Sequence, residues 1–331
     1  MWLTDRIAQL ATGTVAVAST ATLSAALTIC LGYTGSAGAV EPGNLDALRE
    51  EALAEVNSDR AEYGLPALEL QEALNESAQI HAMDMVQNDY YAHVSPEGVG
   101  PQDRFLNAGG SLAKLVEENI ARCSGCALPP DEKRVQSFES GWMNSPSHRS
   151  NILNDGLEGF GFGIAGKEGE IFAVQTFAGP GTSPSLGPDQ STEPVAESKR
   201  SRMMVSMLNQ ARERQDLPPL SNNATLAAAA ENILPEDGKG LLTGNGDTDL
   251  IAALPADERR SWHTLQVVSA GCGGCGVEIT DADLDYFRNQ WLNNPQFAST
   301  VTNDRLDQAG AAFLSNGEGA KRAVVVFGAR R

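Results

Sequence analysis

Basic residues are scarce in this chain. Lys and Arg number 24 against 43 Asp and Glu, giving a formal net charge of −19 and a pI near 4.6. That balance removes the basic footprint on which binding to nucleic-acid phosphates or to an anionic membrane surface depends, so neither is expected as a partner. Histidine is scarcer still, with four in 331 residues. Serine nucleophiles are not signposted: Ser145 and Ser147 lie near His148, but neither sits in a Gly-x-Ser-x-Gly turn. The cysteines lack a thioredoxin-like βαβ context, which argues against a redox pair.

Charge is also missing from residues 7–34, an Ala/Thr/Leu/Val-rich stretch that follows Arg6. Ala37-Gly38-Ala39 then has the small-x-small form that signal peptidase accepts. Residues 1–39 are therefore expected to be a signal peptide, with a secreted or cell-envelope destination. The rival reading is an uncleaved membrane anchor, because the uncharged run is long enough to span a bilayer. Its Thr, Ser and Gly content weakens its hydrophobicity, which favours cleavage. Cys30 follows Ile29 rather than a small residue, so a lipoprotein signal is not expected.

What is present is an ordinary globular composition, with 41% hydrophobic residues and a length that suits two domains. Apolar spacing at Leu45, Leu48, Leu53 and Val56 predicts a helix over 45–62, ended by Gly64-Leu65-Pro66. A second helix is predicted over 72–88, with Leu74, Ala78, His81 and Met85 on one face. A short helix is expected at 102–108 and another at 132–143, with strands at 115–121, 159–165 and 170–177. Residues 181–198, rich in Pro, Gly and Ser, read as a linker.

The chain repeats itself across that linker. Asn57, Arg60 and Leu65-Pro66-Ala67-Leu68 return as Asn209, Arg212 and Leu217-Pro218-Pro219-Leu220, at an offset of 152 residues. Cys123-Ser124-Gly125-Cys126 returns as Cys272-Gly273-Gly274-Cys275, and Trp142-Met143-Asn144-Ser145-Pro146 as Trp291-Leu292-Asn293-Asn294-Pro295, at 149. The copies part where chemistry would sit. His93 falls on Asn245, Glu118 on Val267 and His148 on Phe297. A purely structural network would be needed in both copies, so this loss favours a functional site in the first. His81, on an apolar helix face, reads as a hydrogen-bonded core histidine, and Trp142 and Trp291 as core anchors.

Two CxxC pairs in an exported chain read as disulfides. Local bridges, Cys123–Cys126 and Cys272–Cys275, are the first choice. A zinc site shared by both pairs would need ligands about 145 residues apart, against the compact spacing of a zinc knuckle.

The first copy resembles the CAP superfamily: cysteine-rich secretory, antigen-5 and pathogenesis-related proteins, with a bacterial extracellular SCP-like branch. The resemblance is carried by His81-Ala82-Met83-Asp84-Met85, Tyr91-Ala92-His93, Ser95-Pro96-Glu97-Gly98, Arg104-Phe105, Glu118-Asn119-Ile120-Ala121, the run from Trp142 to Leu153, and Gly161-Phe162-Gly163. It implies an α+β chain of two tandem α-β-α sandwiches with antiparallel central sheets, a CAP domain over 45–180 and a degenerate CAP-like copy over 199–331. It places the family's two cavity histidines on His93 and His148 and one acidic residue on Glu118. The second acidic position is Ser145, with Glu139 one helical turn away.

Two imidazoles and a carboxylate make a set for a divalent metal, zinc or similar. Glu118 has a second role open to it, fixing a histidine tautomer, and a third, in general acid–base work. The resemblance implies a small lipophilic or cell-envelope ligand. The alternatives are a metal-dependent hydrolase or peptidase with His93, Glu118 and His148 catalytic, and a structural adaptor acting through the second copy.

Overall fold

A computed structural model of the chain describes residues 41–184, 192–235 and 249–331. The expected signal peptide or anchor over 1–39, Cys30, Asn245 and the middle of the linker lie outside them. Among the described residues no helix is long and apolar enough to cross a membrane.

The first half begins with α1 (Leu45–Glu62), the two-residue β1 (Glu69–Leu70), α2 (Glu72–Asn88), α3 (Pro101–Asn107) and β2 (Leu115–Ser124). It continues with α4 (Glu132–Met143), α5 (Pro146–Ile152), β3 (Gly159–Lys167) and β4 (Glu170–Gly179). The strands form one sheet in the order β1-β3-β4-β2. Helices α1, α4 and α5 lie on one face and α2 and α3 on the other. The long strands pair antiparallel, but β1 pairs parallel with β3, so the sheet is mixed rather than wholly antiparallel as expected. The parallel strand is two residues long, too short to show a period of its own.

The layers follow from alternation along the strands. Phe160 and Phe162 point into the core shared with α1 and α4, where Leu48, Val56, Val135 and Trp142 meet them. The intervening Gly161 and Gly163 face α2. A Cβ at Gly161 would fall 2.1 Å from the Leu74 carbonyl carbon, and one at Gly163 2.3 Å from that of Ala78. Helix α2 therefore rests directly on the strand backbone. Helix α5 was not expected from the sequence, since Pro146 follows closely on the end of α4. Pro146 in fact opens a new helix, at a first-turn position where its missing N–H costs nothing.

The second half repeats this order: α6 (Glu197–Glu213), β5 (Ser221–Asn222), α7 (Ala224–Ile233), α8 (Leu250–Ala253), β6 (Trp262–Cys272), α9 (Asp281–Asn293), α10 (Pro295–Val301), β7 (Gln308–Ser315) and β8 (Lys321–Arg330). Its sheet runs β5-β7-β8-β6, the same order with the same parallel edge pair. Equivalent side chains make equivalent bonds. Arg60 is fully buried and donates to the carbonyls of Pro66 (2.9 Å), Ile152 (2.7 Å) and Asn154 (2.8 Å). Arg212 does the same to Pro218 (2.8 Å), Val301 (2.8 Å) and Asn303 (3.0 Å). The repeat is thus one of hydrogen bonds as well as residues.

Both CxxC pairs are local disulfides, with Cα–Cα separations of 6.0 and 6.1 Å that suit such a bridge. The linker departs from the tether its composition suggested, since its described flanks are held. Val195 N–H donates to Ile279 O at 2.9 Å and Asp281 N–H to Glu193 O at 3.1 Å. Ser183 is bonded to Thr280, Asp283 and Lys321.

Candidate functional site

Strand β2 lies at the edge of its sheet, and its alternation sends neighbouring side chains to opposite layers. Asn119 pairs with Gln175 and faces α4 and α5, while Glu118 pairs with Thr176 and faces α2 and α3. Two outward carbonyls of this edge are capped by side chains instead of by another strand. Glu118 O accepts from Asn151 at 3.2 Å. Ile120 O accepts from both Trp142 Nε1 and Tyr91 Oη at 3.0 Å. These bonds seat α5 and the loop after α2 against the same short stretch of strand.

His93 comes from that loop and His148 from α5, on the opposite layer. Glu118 is buried between α2, α3 and the loop. His93 Nδ1–H donates to Glu118 Oε1 at 2.9 Å, so the lone pair of the ring lies on Nε2. Arg104 donates to Glu118 Oε2 at 2.7 Å and to the His93 carbonyl at 2.9 Å. Its other terminal nitrogen donates to Val99 O at 2.8 Å. One buried guanidinium therefore neutralises the carboxylate and grips the backbone of the histidine that the carboxylate orients.

His81 belongs to the same cluster. Sequence spacing placed it as a core histidine, and it is fully buried. Its Nε2–H donates to Ala92 O at 2.9 Å, and that nitrogen lies 3.7 Å from Glu118 Oε1. Its Nδ1 lies 3.3 Å from Tyr90 Oη, which donates in turn to Asp84. Burial pushes its pKa down, so the ring is neutral. Arg104 and His81 thus clamp consecutive carbonyls, of His93 and Ala92. His81 and Arg104 both stood in the sequence resemblance, but nothing in one dimension shows that they converge on Glu118.

His148 is half-buried, and its pKa is pushed down by burial and then by the nearby His93, which opposes a second positive charge. Its carbonyl accepts from Asn119 Nδ2 at 3.2 Å. His93 and His148 thus approach the β2 edge from opposite layers, near enough for the charge of one to bear on the other. His93 is 48% exposed, and Tyr91 (46%) and Val94 (51%) leave an apolar rim beside it.

The remaining sequence candidates stand apart. Glu139 does not join the histidines. It is buried against Gln175 Nε2 on the α4 side, and burial, with Asp59 nearby, pushes its pKa up to about 8. Ser145, at the second acidic position, has its hydroxyl 3.5 Å from that of Ser147. Among the described residues no group of three or more His, Cys, Asp and Glu is arranged to hold a metal ion. Both Glu118 oxygens are engaged, which leaves the two imidazoles as the outward lone pairs. In the second half Val267 and Phe297 occupy the corresponding positions as partly buried core residues.

Residues 53–177 match the CAP family, described as the cysteine-rich secretory protein family. The chain is 31% identical over 134 residues to the uncharacterized protein YkwD of Bacillus subtilis (strain 168), covering 40% of this chain and 48% of that one. It is 32% identical over 108 residues to the uncharacterized membrane protein YlbC of the same organism, covering 33% and 29%. The chain therefore spans about half of the first relative's length and under a third of the second's. Among solved structures, an extracellular SCP-domain protein of Bacillus anthracis matches at 29% identity, with 40% of each chain covered and a TM-score of 0.34.

Proposed function

We propose that residues 53–177, which match the CAP family, form a CAP domain, and that the chain is an exported ligand-binding module whose first copy (45–180) carries the site. The observation that carries this reading is the grip of Glu118 and Arg104 on His93, with His148 within electrostatic reach of it. Each imidazole is delivered by a different helical layer, and Glu118 and Arg104 are spent on orienting one of them. Two imidazoles near the exposed Tyr91 and Val94 suit a small amphipathic molecule, such as a cell-envelope component. Two local disulfides and the signal-like residues 1–39 support an extracellular or envelope setting.

The donor set bears on metal chemistry as well. A zinc catalytic site uses three protein ligands and an open position. Here Glu118 is held by Arg104 and His93, so its role is to fix a tautomer. A two-imidazole contact with an exchangeable divalent ion would run through His93 Nε2 and a nitrogen of His148. Such an ion would polarise an oxygen of the bound molecule. The hydrolase alternative gains no support from Ser145 and Ser147, whose hydroxyls face each other.

Calorimetric titration of the full chain with zinc chloride tests the reading. Binding of one equivalent that disappears in His93→Ala/His148→Ala is the expected result. Undiminished binding in the double variant, or none in the wild-type chain, overturns the metal part. Vesicle co-sedimentation of both proteins then reads the lipophile part separately.

A further inference from the structure

The two CxxC loops share a sequence pattern and a backbone shape but have different surroundings. Gly125 in the first and Gly274 in the second both adopt positive φ, +69° and +67°. A Cβ on Gly125 would meet nothing within 4 Å. One on Gly274 would lie 2.9 Å from Leu115 Cβ and 3.0 Å from Leu115 Cα, at the start of β2. The second loop is driven against the first copy, and the first loop is free of such a contact.

The seam is built from backbone. Gly274 N–H donates to Ala113 O and Gly276 N–H to Pro180 O, both at 2.7 Å. Gly181 bridges to Cys275, and its own N–H donates to Gly156 O at 2.9 Å. A Cβ on Gly181 would sit 2.0 Å from Gly274 O. Cys275 N–H donates to Gly319 O at 2.9 Å, and a Cβ on Gly319 would fall 2.5 Å from Ala113 O. Two glycines of the second copy thus close on Ala113. Alongside, the buried Lys321–Asp283 pair (2.7 Å) holds Ser183, with Lys321 Nζ 3.1 Å from its hydroxyl.

The gripped segment, Ala113–Leu115, runs from the connection after α3, which carries Arg104, into the start of β2, which carries Glu118 three residues further on. Those two residues orient His93. We propose that the second copy, having lost the polar site, serves as a built-in clamp. Its Cys272–Cys275 loop is the docking element, and its partner is the α3–β2 connection of the first copy. The disulfide holds the loop in the shape that lets Gly274 reach Leu115, and glycine is required because any side chain would hold the backbones apart.

Hydrogen exchange on the full chain tests this, with Gly274→Val compared against Gly125→Val. The two substitutions impose the same backbone strain, and only the first meets the other copy. The clamp predicts that Gly274→Val lowers protection over residues 113–118 by about tenfold or more relative to β3, whereas Gly125→Val leaves it within about twofold. Cys272→Ser/Cys275→Ser should act in the same direction as Gly274→Val. If Gly274→Val unfolds the second copy, the readout still stands, because residues 113–118 are compared with β3 of the first. Unchanged protection there in Gly274→Val, or an equal loss in Gly125→Val, overturns the proposal. Zinc binding through His93 and His148 is read independently, so failure of the ligand reading leaves this result interpretable.

Discussion

Arg104 and Glu118 meet at 2.7 Å with side chains 5% and 1% exposed, an ion pair closed off from water. Removing one partner from such a pair strands the other charge and costs about 3–5 kcal/mol, whereas replacing both with apolar groups of like volume is often close to neutral. Arg104→Ala should therefore lower the urea midpoint strongly. Arg104→Met/Glu118→Leu should recover most of that loss while abolishing the orientation of His93. A loss in the double variant equal to the sum of the Arg104→Met and Glu118→Leu losses would show that the pair is not coupled.

His148 gives a pH signature. Its folded pKa is depressed by burial and by His93, so the unfolded chain takes up a proton at higher pH than the folded one does. The stability this contributes is complete above the ordinary histidine range, and is lost as pH falls through that range toward the folded value. His93→Ala should raise the His148 midpoint toward the ordinary value in an NMR titration. An unmoved midpoint would mean that the two rings do not sense each other.

Glu139 gives the opposite slope. Its folded pKa, about 8, lies above the ordinary 4.5, through burial and the carboxylates of Asp59 and Glu55 on α1, with the Gln175 bond acting against the rise. The folded chain keeps this proton after the unfolded chain has released it. The associated stability is present below about pH 4.5, declines as pH rises, and is gone above about 8. Glu139→Gln should flatten that part of the pH–stability profile and raise the melting temperature at neutral pH. A profile unchanged by the substitution would contradict the protonated state.

Arg60 and Arg212 test the equivalence of the two halves. Each Ala variant leaves buried carbonyls without their donor, at about 1–3 kcal/mol for each orphaned group. Similar losses are expected in both halves, read by hydrogen exchange over β3 for Arg60→Ala and over β7 for Arg212→Ala. A large loss in one half alone would show that the repeated bonds carry unequal weight.

How much of this was legible in the sequence depended on whether the signal was local. Helices α1, α2 and α4 showed in apolar spacing and stop residues. The repeat showed because both halves keep the same bonded residues: Arg60 and Arg212 on matching carbonyls, and Asn57–Leu68 and Asn209–Leu220 bonded to each other. The histidines and Glu118 were visible as residue types that the second copy loses. Their division of labour was not visible, because it turns on Arg104 and His81 reaching Glu118 from separate helices. The clamp was hidden for a related reason: Gly125 and Gly274 read alike in one dimension and differ only in what lies beside them.

The most direct test is long-range proton–nitrogen NMR of the imidazole rings, with and without zinc. The prediction is a proton on His93 Nδ1, together with a zinc-induced shift of His93 Nε2 and of one His148 nitrogen in step. A proton on His93 Nε2, or a shift confined to one ring or absent from both, would contradict the account.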